Sequence, residues 1–409
     1  MILLFGGCLF MLPSILQAQT VQWSWSFKGG NFNLNNTLNN NSSPAVAASD
    51  ESTGIFLVVW MQQGTTTGFD IYGARITSNE YNSDVIVNFP ICTALNDQVF
   101  PSVSWNGETF LVVWQDGRNG NRFDIYGARV TPQGIVLDPD GFPIHLGKSL
   151  YNEVFPVVSF DGTNHLVVWA GQGKESIFNI YCTRVSPDGT VLDQSPVPVA
   201  PSSRTQTYPA VDFDGDNYLV VWSQKQSGSD FDVMGARVTP LGEVIDTEPV
   251  KINSSPSGTG RKPVLSWNGE SYLVVWVVSN KTGQWSLHGK RVGPDMEILD
   301  STDVDIESDG REKLYLYPAL TQDGSNYALV WEEEDGGQSF SISGATVTTA
   351  GPSISVSSPV VISFAGLTAN SSYPALATLG DTALVVWDGN APPDEYLQVF
   401  GQTLSKTAE

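Results

Sequence analysis

The sequence predicts an all-β fold, a seven-bladed β-propeller of four-stranded antiparallel blades in which an N-terminal strand completes the last blade and closes the ring. Three observations carry this expectation. An apolar run ending in tryptophan recurs at Trp60, Trp114, Trp169, Trp222, Trp276, Trp331 and Trp387, at steps of 54, 55, 53, 54, 55 and 56 residues, so the chain is a repeat array. Turn signals divide each unit into four extended pieces, which is the content of a propeller blade. The two chain ends also complement each other, as set out below.

Within the second repeat, FPSVSWNGETFLVVWQDGRNGNRFDIYGARVTPQGIVLDPDGFPIHL, the first strand runs into Asn106-Gly107, a hairpin signal because the tight turn wants φ > 0 at its centre. The same signal recurs as Asp161-Gly162, Asp214-Gly215, Asn268-Gly269 and Asp323-Gly324. The second strand, of the Leu-Val-Val-Trp type, is apolar on both faces and needs a neighbouring sheet on each side. A polar loop leads to the third strand, Asp124 to Val130, and a Pro/Gly turn to the fourth. Fourth strands carry Pro143, Pro196, Pro198 and Pro249, which suits an outermost strand short of ladder donors. Repeat seven stops near Leu404 after its third strand, while Phe32-Asn33-Leu34 lies 12 residues before Pro44, as Ile144 lies before Pro156 and Val197 before Pro209. The N-terminal segment therefore supplies the missing strand, which removes exposed edges.

These marks predict blades starting near residues 44, 101, 156, 209, 263, 318 and 374, in one domain spanning 31–409 after a short leader at 19–30. Residues 1–18 read as an export signal, with an apolar run from Met1 to Leu16 and cleavage after Ala18, although no positive charge precedes the run. No later stretch is apolar for the ~20 residues a membrane-spanning helix requires. A secreted protein, extracellular or periplasmic and acting as a monomer, is expected.

The formal charge of −23 at pH 7 repels phosphate backbones, so nucleic acid is a poor partner. Beyond the signal only Cys92 and Cys182 remain, at different places in different repeats, and no disulfide is expected. His145, His165 and His288 make no zinc motif. No cofactor is implied; Ca²⁺ rests on the single cluster Asp212-Phe213-Asp214-Gly215-Asp216, which reads better as an acidic hairpin.

Several recurring residues read as scaffold. An Arg ending the third strand and an Asp nine residues later occur together as Arg75/Asp84, Arg129/Asp138, Arg184/Asp193, Arg237/Asp246 and Arg291/Asp300, and are lost together in blade six as Thr346 and Ser355. Joint retention and loss point to a salt bridge across the outer hairpin. Asp70, Asp124, Asn179 and Asp232 open third strands where an Asx side chain bonds nearby amides. The tryptophans read as wedges between blades.

The units FDIYGARV and YLVVW resemble the blade repeats of secreted bacterial β-propeller proteins over nearly all of residues 31–405. That resemblance implies fold and export, and no particular activity. The box Ser-x-Asp-x-Gly-x-Thr-Trp of sialidase-type blades does not occur.

Function is expected on the face where loops between strands two and three vary from blade to blade. The residue before each strand-one proline is aromatic in five blades, Phe100, Phe155, Tyr208, Tyr317 and Tyr373, which predicts a partial aromatic ring at the axial entrance, suited to stacking on sugars. Packing between inner strands is the competing reading of that ring. Arg118 and Arg122 place positive charge in the loops of blade two, whereas Glu332, Glu333, Asp335 and Asp388 make blades six and seven acidic. The expected function is recognition of a glycan or an exported or cell-surface protein without turnover. The alternative is a polysaccharide hydrolase or lyase using the carboxylates of blades six and seven as an acid/base pair.

Overall fold

The computed structural model describes residues 23–34, 39–77, 88–148, 151–228, 230–254, 260–279, 285–307, 314–324, 326–334, 339–351, 353–363, 371–390 and 396–408. The expected export signal, Asp84 and Asp335 lie outside the described residues. Seven antiparallel sheets follow one another along the chain, ordered one-two-three-four from the axis outward, and in blade six two short segments, Ser355–Val356 and Val360–Val361, both pair with the third strand. Blade three is representative, with strands Glu153–Phe160, His165–Gln172, Phe178–Val185 and Val197–Pro198. In blade seven, strands Ser371–Leu379, Thr382–Gly389 and Gln398–Ala408 are completed by Trp23–Asn33, paired antiparallel to the third strand. The ring closes as expected, and the closing strand reaches back to Trp23, through the segment expected to be a leader.

Packing explains the tryptophan repeat. The buried apolar residues fall into seven clusters, each drawn from two successive blades, with the seventh joining blade seven to blade one. One tryptophan stands in each cluster, and none is more than 2% exposed. They are interblade wedges. Cys92 and Cys182 are free and buried.

The hairpins between strands one and two differ from the expected geometry in one respect. Only the glycine takes a left-handed φ, for example +96° at Gly107 and +93° at Gly162. The preceding Asn or Asp instead accepts amide hydrogens with its side chain, as Asn106 does from Glu108 and Thr109 at 3.0 and 2.8 Å. Asp214, in the candidate calcium cluster, does the same for Asp216 and Asn217, at 2.8 and 2.7 Å.

Four Arg–Asp pairs form across the outer hairpins, at 2.8 Å for Arg129–Asp138, 2.6 Å for Arg184–Asp193, 2.9 Å for Arg237–Asp246 and 2.7 Å for Arg291–Asp300. Each Asp also accepts the backbone N–H of its Arg. In blade six the Ser357 hydroxyl takes that role for Thr346, at 3.0 Å. The guanidinium groups also reach the next blade: Arg75 donates to the Pro132 carbonyl at 3.0 Å and Arg291 to that of Gly351 at 2.8 Å.

Candidate functional site

The inner strands enter from the variable-loop face, and each is interrupted near that end by a bulge, such as that between Val154 and Val157 in blade three. The two residues expelled from the ladder are the proline, which has no N–H to give, and the residue before it. All seven pre-proline residues, Ser43, Phe100, Phe155, Tyr208, Lys262, Tyr317 and Tyr373, hold left-handed φ values between 45° and 56°. This conformation turns seven side chains toward the axis. Together with the seven prolines they line a cavity of about 310 Å³.

The ring is continuous along most of its circumference. Phe100 meets Phe155 edge-on at 5.7 Å between centroids, and Phe155 meets Tyr208 at 4.6 Å. The Lys262 ammonium lies 5.5 Å from the Tyr208 ring and 3.2 Å from the Tyr317 ring. Tyr317 packs on Tyr373 at 4.1 Å and donates its hydroxyl to the Tyr373 hydroxyl at 3.0 Å. The aromatic members are half-buried, packed edge to edge yet open to the cavity. Packing and access coexist at these residues.

Behind the ring stands a second set that the sequence pattern places one residue after each tryptophan. The N–H that the bulge turns out of the ladder crosses to the preceding blade, where Gln115 accepts from Phe155 at 2.8 Å and Ser223 from Lys262 at 3.0 Å. Glu332 accepts from Tyr373 at 3.3 Å, and Asp388 accepts from the Ser43 amide at 3.0 Å and from the Ser42 hydroxyl. Met61, Ala170 and Val277 fill the slot in the other blades. Both carboxylates are buried, and burial pushes Glu332 up to about 7 and Asp388 up to about 6, the neighbouring Asp388 charge adding to the rise at Glu332. Burial also pushes the Lys262 ammonium down to about 8.

Of the residues singled out from the sequence, the structure brings together Phe100, Phe155, Tyr208, Tyr317, Tyr373, Glu332 and Asp388. Glu333, next along the strand, falls on the opposite face and is half-exposed. Arg118 is not at the mouth: it grips Asp116 at 2.7 Å and lies over the Tyr126 ring at 4.0 Å, against strand three of its own blade. Arg122 is held on Asp124 at 2.9 Å. Sequence reasoning missed Ser43 and Lys262, because it counted aromatic residues where the informative feature is the pre-proline slot itself.

Off the axis, between blades two and three, Glu153 accepts the Trp169 indole N–H at 2.7 Å and lies 3.9 Å from His145, whose ring stacks on Trp169 at 5.3 Å. Burial pushes Glu153 up to about 8. Among the described residues no cluster of three or more His, Cys, Asp or Glu side chains could hold a metal ion.

Fold and site thus define a seven-bladed propeller with an aromatic-lined axial mouth. No family model matches the chain, and no curated protein does. Among solved structures it is similar to the GH93 α-L-arabinofuranosidase of Fusarium graminearum in complex with arabinobiose, with a TM-score of 0.52 and 11% identity over 92% of this chain and 98% of that one. The α-L-arabinanase of Penicillium chrysogenum, also with arabinobiose, gives 0.51 and 10% over 92% and 98%. A protein of unknown function from Dyadobacter fermentans gives 0.51 and 13% over 94% and 99%. These likenesses show the fold alone.

Proposed function

We propose that this is an exported propeller that binds a glycan at its axial mouth without turning it over. The observation that carries the reading is the ring of half-buried aromatic side chains around a cavity of about 310 Å³, a size that admits a single sugar ring. Aromatic faces stack on the apolar C–H faces of pyranoses, and the Tyr208, Tyr317 and Tyr373 hydroxyls add polar contacts. Two propellers of similar fold hold arabinobiose, so the fold is compatible with a carbohydrate ligand. The carboxylates nearest the mouth, Glu332 and Asp388, are engaged with backbone amides, as fits a supporting rather than a catalytic role.

The test is retention of the chain on an immobilised polysaccharide panel, with new chain ends scored in parallel. Retention without release, lost in Tyr373→Ala, is the expected result; no retention on any polymer overturns the reading. A second reading, glycoside hydrolysis, is favoured by one observation, the neighbouring Glu332 and Asp388 carboxyls pushed up to about 7 and about 6. It predicts release of chain ends that Glu332→Gln and Asp388→Asn abolish.

A further inference from the structure

Of the seven pre-proline side chains around the mouth, only Lys262 carries a charge. Neighbouring blades fill the same slot with Tyr208 and Tyr317, so packing here is met by a neutral ring. Among the described residues no carboxylate stands within ion-pair distance of its ammonium, unlike Lys251 on Asp232 at 2.7 Å and Lys290 on Asp303 at 3.3 Å. The Tyr317 face, 3.2 Å away, offsets part of the desolvation, as cation–π contacts do. A half-buried ammonium held in an apolar cup remains short of a counter-charge. On the same face, Lys174, Arg204 and Lys225 are exposed around blades three and four, beside one exposed carboxylate, Glu175, whereas blade six presents the half-exposed Glu333 and Glu334.

Resting on the glycan reading above, we infer that the sugar seated in the mouth carries a carboxylate, as in a uronate-containing polysaccharide. The carboxylate pairs with Lys262, the sugar face lies on Tyr208 and Phe155, and the polymer leaves over blades three and four. The overall charge of −23 opposes this at long range, but at physiological ionic strength repulsion between exposed charges is screened beyond about 8 Å. Lys262 acts at contact distance, where a charge-assisted hydrogen bond is strongest. Its ammonium, held near 8 chiefly by burial, with Glu332 raising it and Arg261 lowering it, is charged at neutral pH.

The experiment is calorimetric titration of the full chain with galacturonate, guluronate and glucuronate oligomers, each beside a neutral oligomer of matched length and linkage. At least one acidic oligomer is expected to bind ~10-fold or more tighter than its neutral counterpart, the scale of one charged hydrogen bond. Lys262→Tyr, which installs the residue of the flanking blades, and Lys262→Met should both erase that difference while keeping the wild-type melting temperature to within a few degrees. Equal binding of acidic and neutral oligomers, or acidic binding unchanged in both variants, overturns the inference and leaves the glycan reading standing. If the folded wild-type chain binds no oligomer of either kind, both fall.

Discussion

A left-handed backbone on a residue with a β-carbon costs roughly 1–2 kcal/mol, and this chain adopts it seven times around one axis. Such strain persists where surrounding structure over-determines it. Here the determinants are the bulge at the proline, which has no N–H for the ladder, and, in four blades, the acceptor that catches the expelled N–H. A different residue-scale contrast sits on the opposite face. Tyr218, Tyr272 and Tyr327 each donate a hydroxyl to a carbonyl of the preceding blade, at 3.0, 3.2 and 2.6 Å, whereas His165 fills the same slot with both nitrogens buried and without a hydrogen-bond partner among the described residues. His165→Tyr should gain a bond to the Thr109 carbonyl and stabilise the fold by about 1 kcal/mol. A lower denaturation midpoint in that variant would show the slot in blade three to be shaped differently.

At the scale of strands and hairpins, the Arg–Asp pairs illustrate why joint loss is tolerated. The Arg184 and Asp193 side chains are 20% and 13% exposed, between the exposed pair that contributes almost nothing and the buried one whose breakage is costly. Asp193→Ala strands a guanidinium and uncaps the Arg184 amide, with an expected loss of about 1–3 kcal/mol. The double variant Arg184→Thr/Asp193→Ser, copying the residues of blade six, should lose less than that single change; urea midpoints decide, and a larger loss would contradict the coupling. The closing strand makes a second element-scale prediction. Deleting residues 19–33 leaves the third strand of blade seven as an open edge. Such a chain should melt lower and self-associate on size exclusion, and an unchanged monomer would mean that closure is dispensable.

For the molecule as a whole, burial raises the affinity of several carboxyls for protons: Glu153 to about 8, Glu332 to about 7 and Asp388 to about 6. Each is protonated in the folded chain at pH values where the unfolded chain has lost the proton. Their contribution is therefore full below pH ~4 and is lost as pH rises through 6 to 8. His165, held down to about 4 by burial, acts the other way, since its contribution is present above pH 6.5 and is lost as pH falls toward 4. Lys262, pushed down to about 8 by burial, also acts the other way, since its contribution is lost as pH falls through 8, while Asp212, pushed up to about 6, acts with the carboxyls. The four carboxyls outweigh His165 and Lys262 between pH 5.5 and 8, so the melting temperature should fall across that interval, and Glu153→Gln should flatten the upper half. A melting temperature that climbs from pH 5.5 to 8 would contradict the assignment.

The repeat period, the turn residues and the complementary chain ends were enough to determine blade number, strand count and ring closure, because each is a local pattern repeated seven times and local patterns are read along the chain. The tryptophan wedges and the paired Arg and Asp were legible for the same reason. Part of the mouth was legible too: five aromatic residues share one register position, and Glu332 and Asp388 lie one residue past a tryptophan. What only the tertiary structure decided is how those positions meet. The bulge that turns each pre-proline side chain to the axis, the crossing of its N–H to the preceding blade, and the retreat of Arg118 onto Asp116 all depend on contacts between residues some 40 to 350 positions apart, or on side-chain geometry that spacing does not encode. Lys262 is the clearest instance. In the sequence it is one lysine before a proline, and only closure of the ring sets its ammonium among tyrosines from the blades on either side.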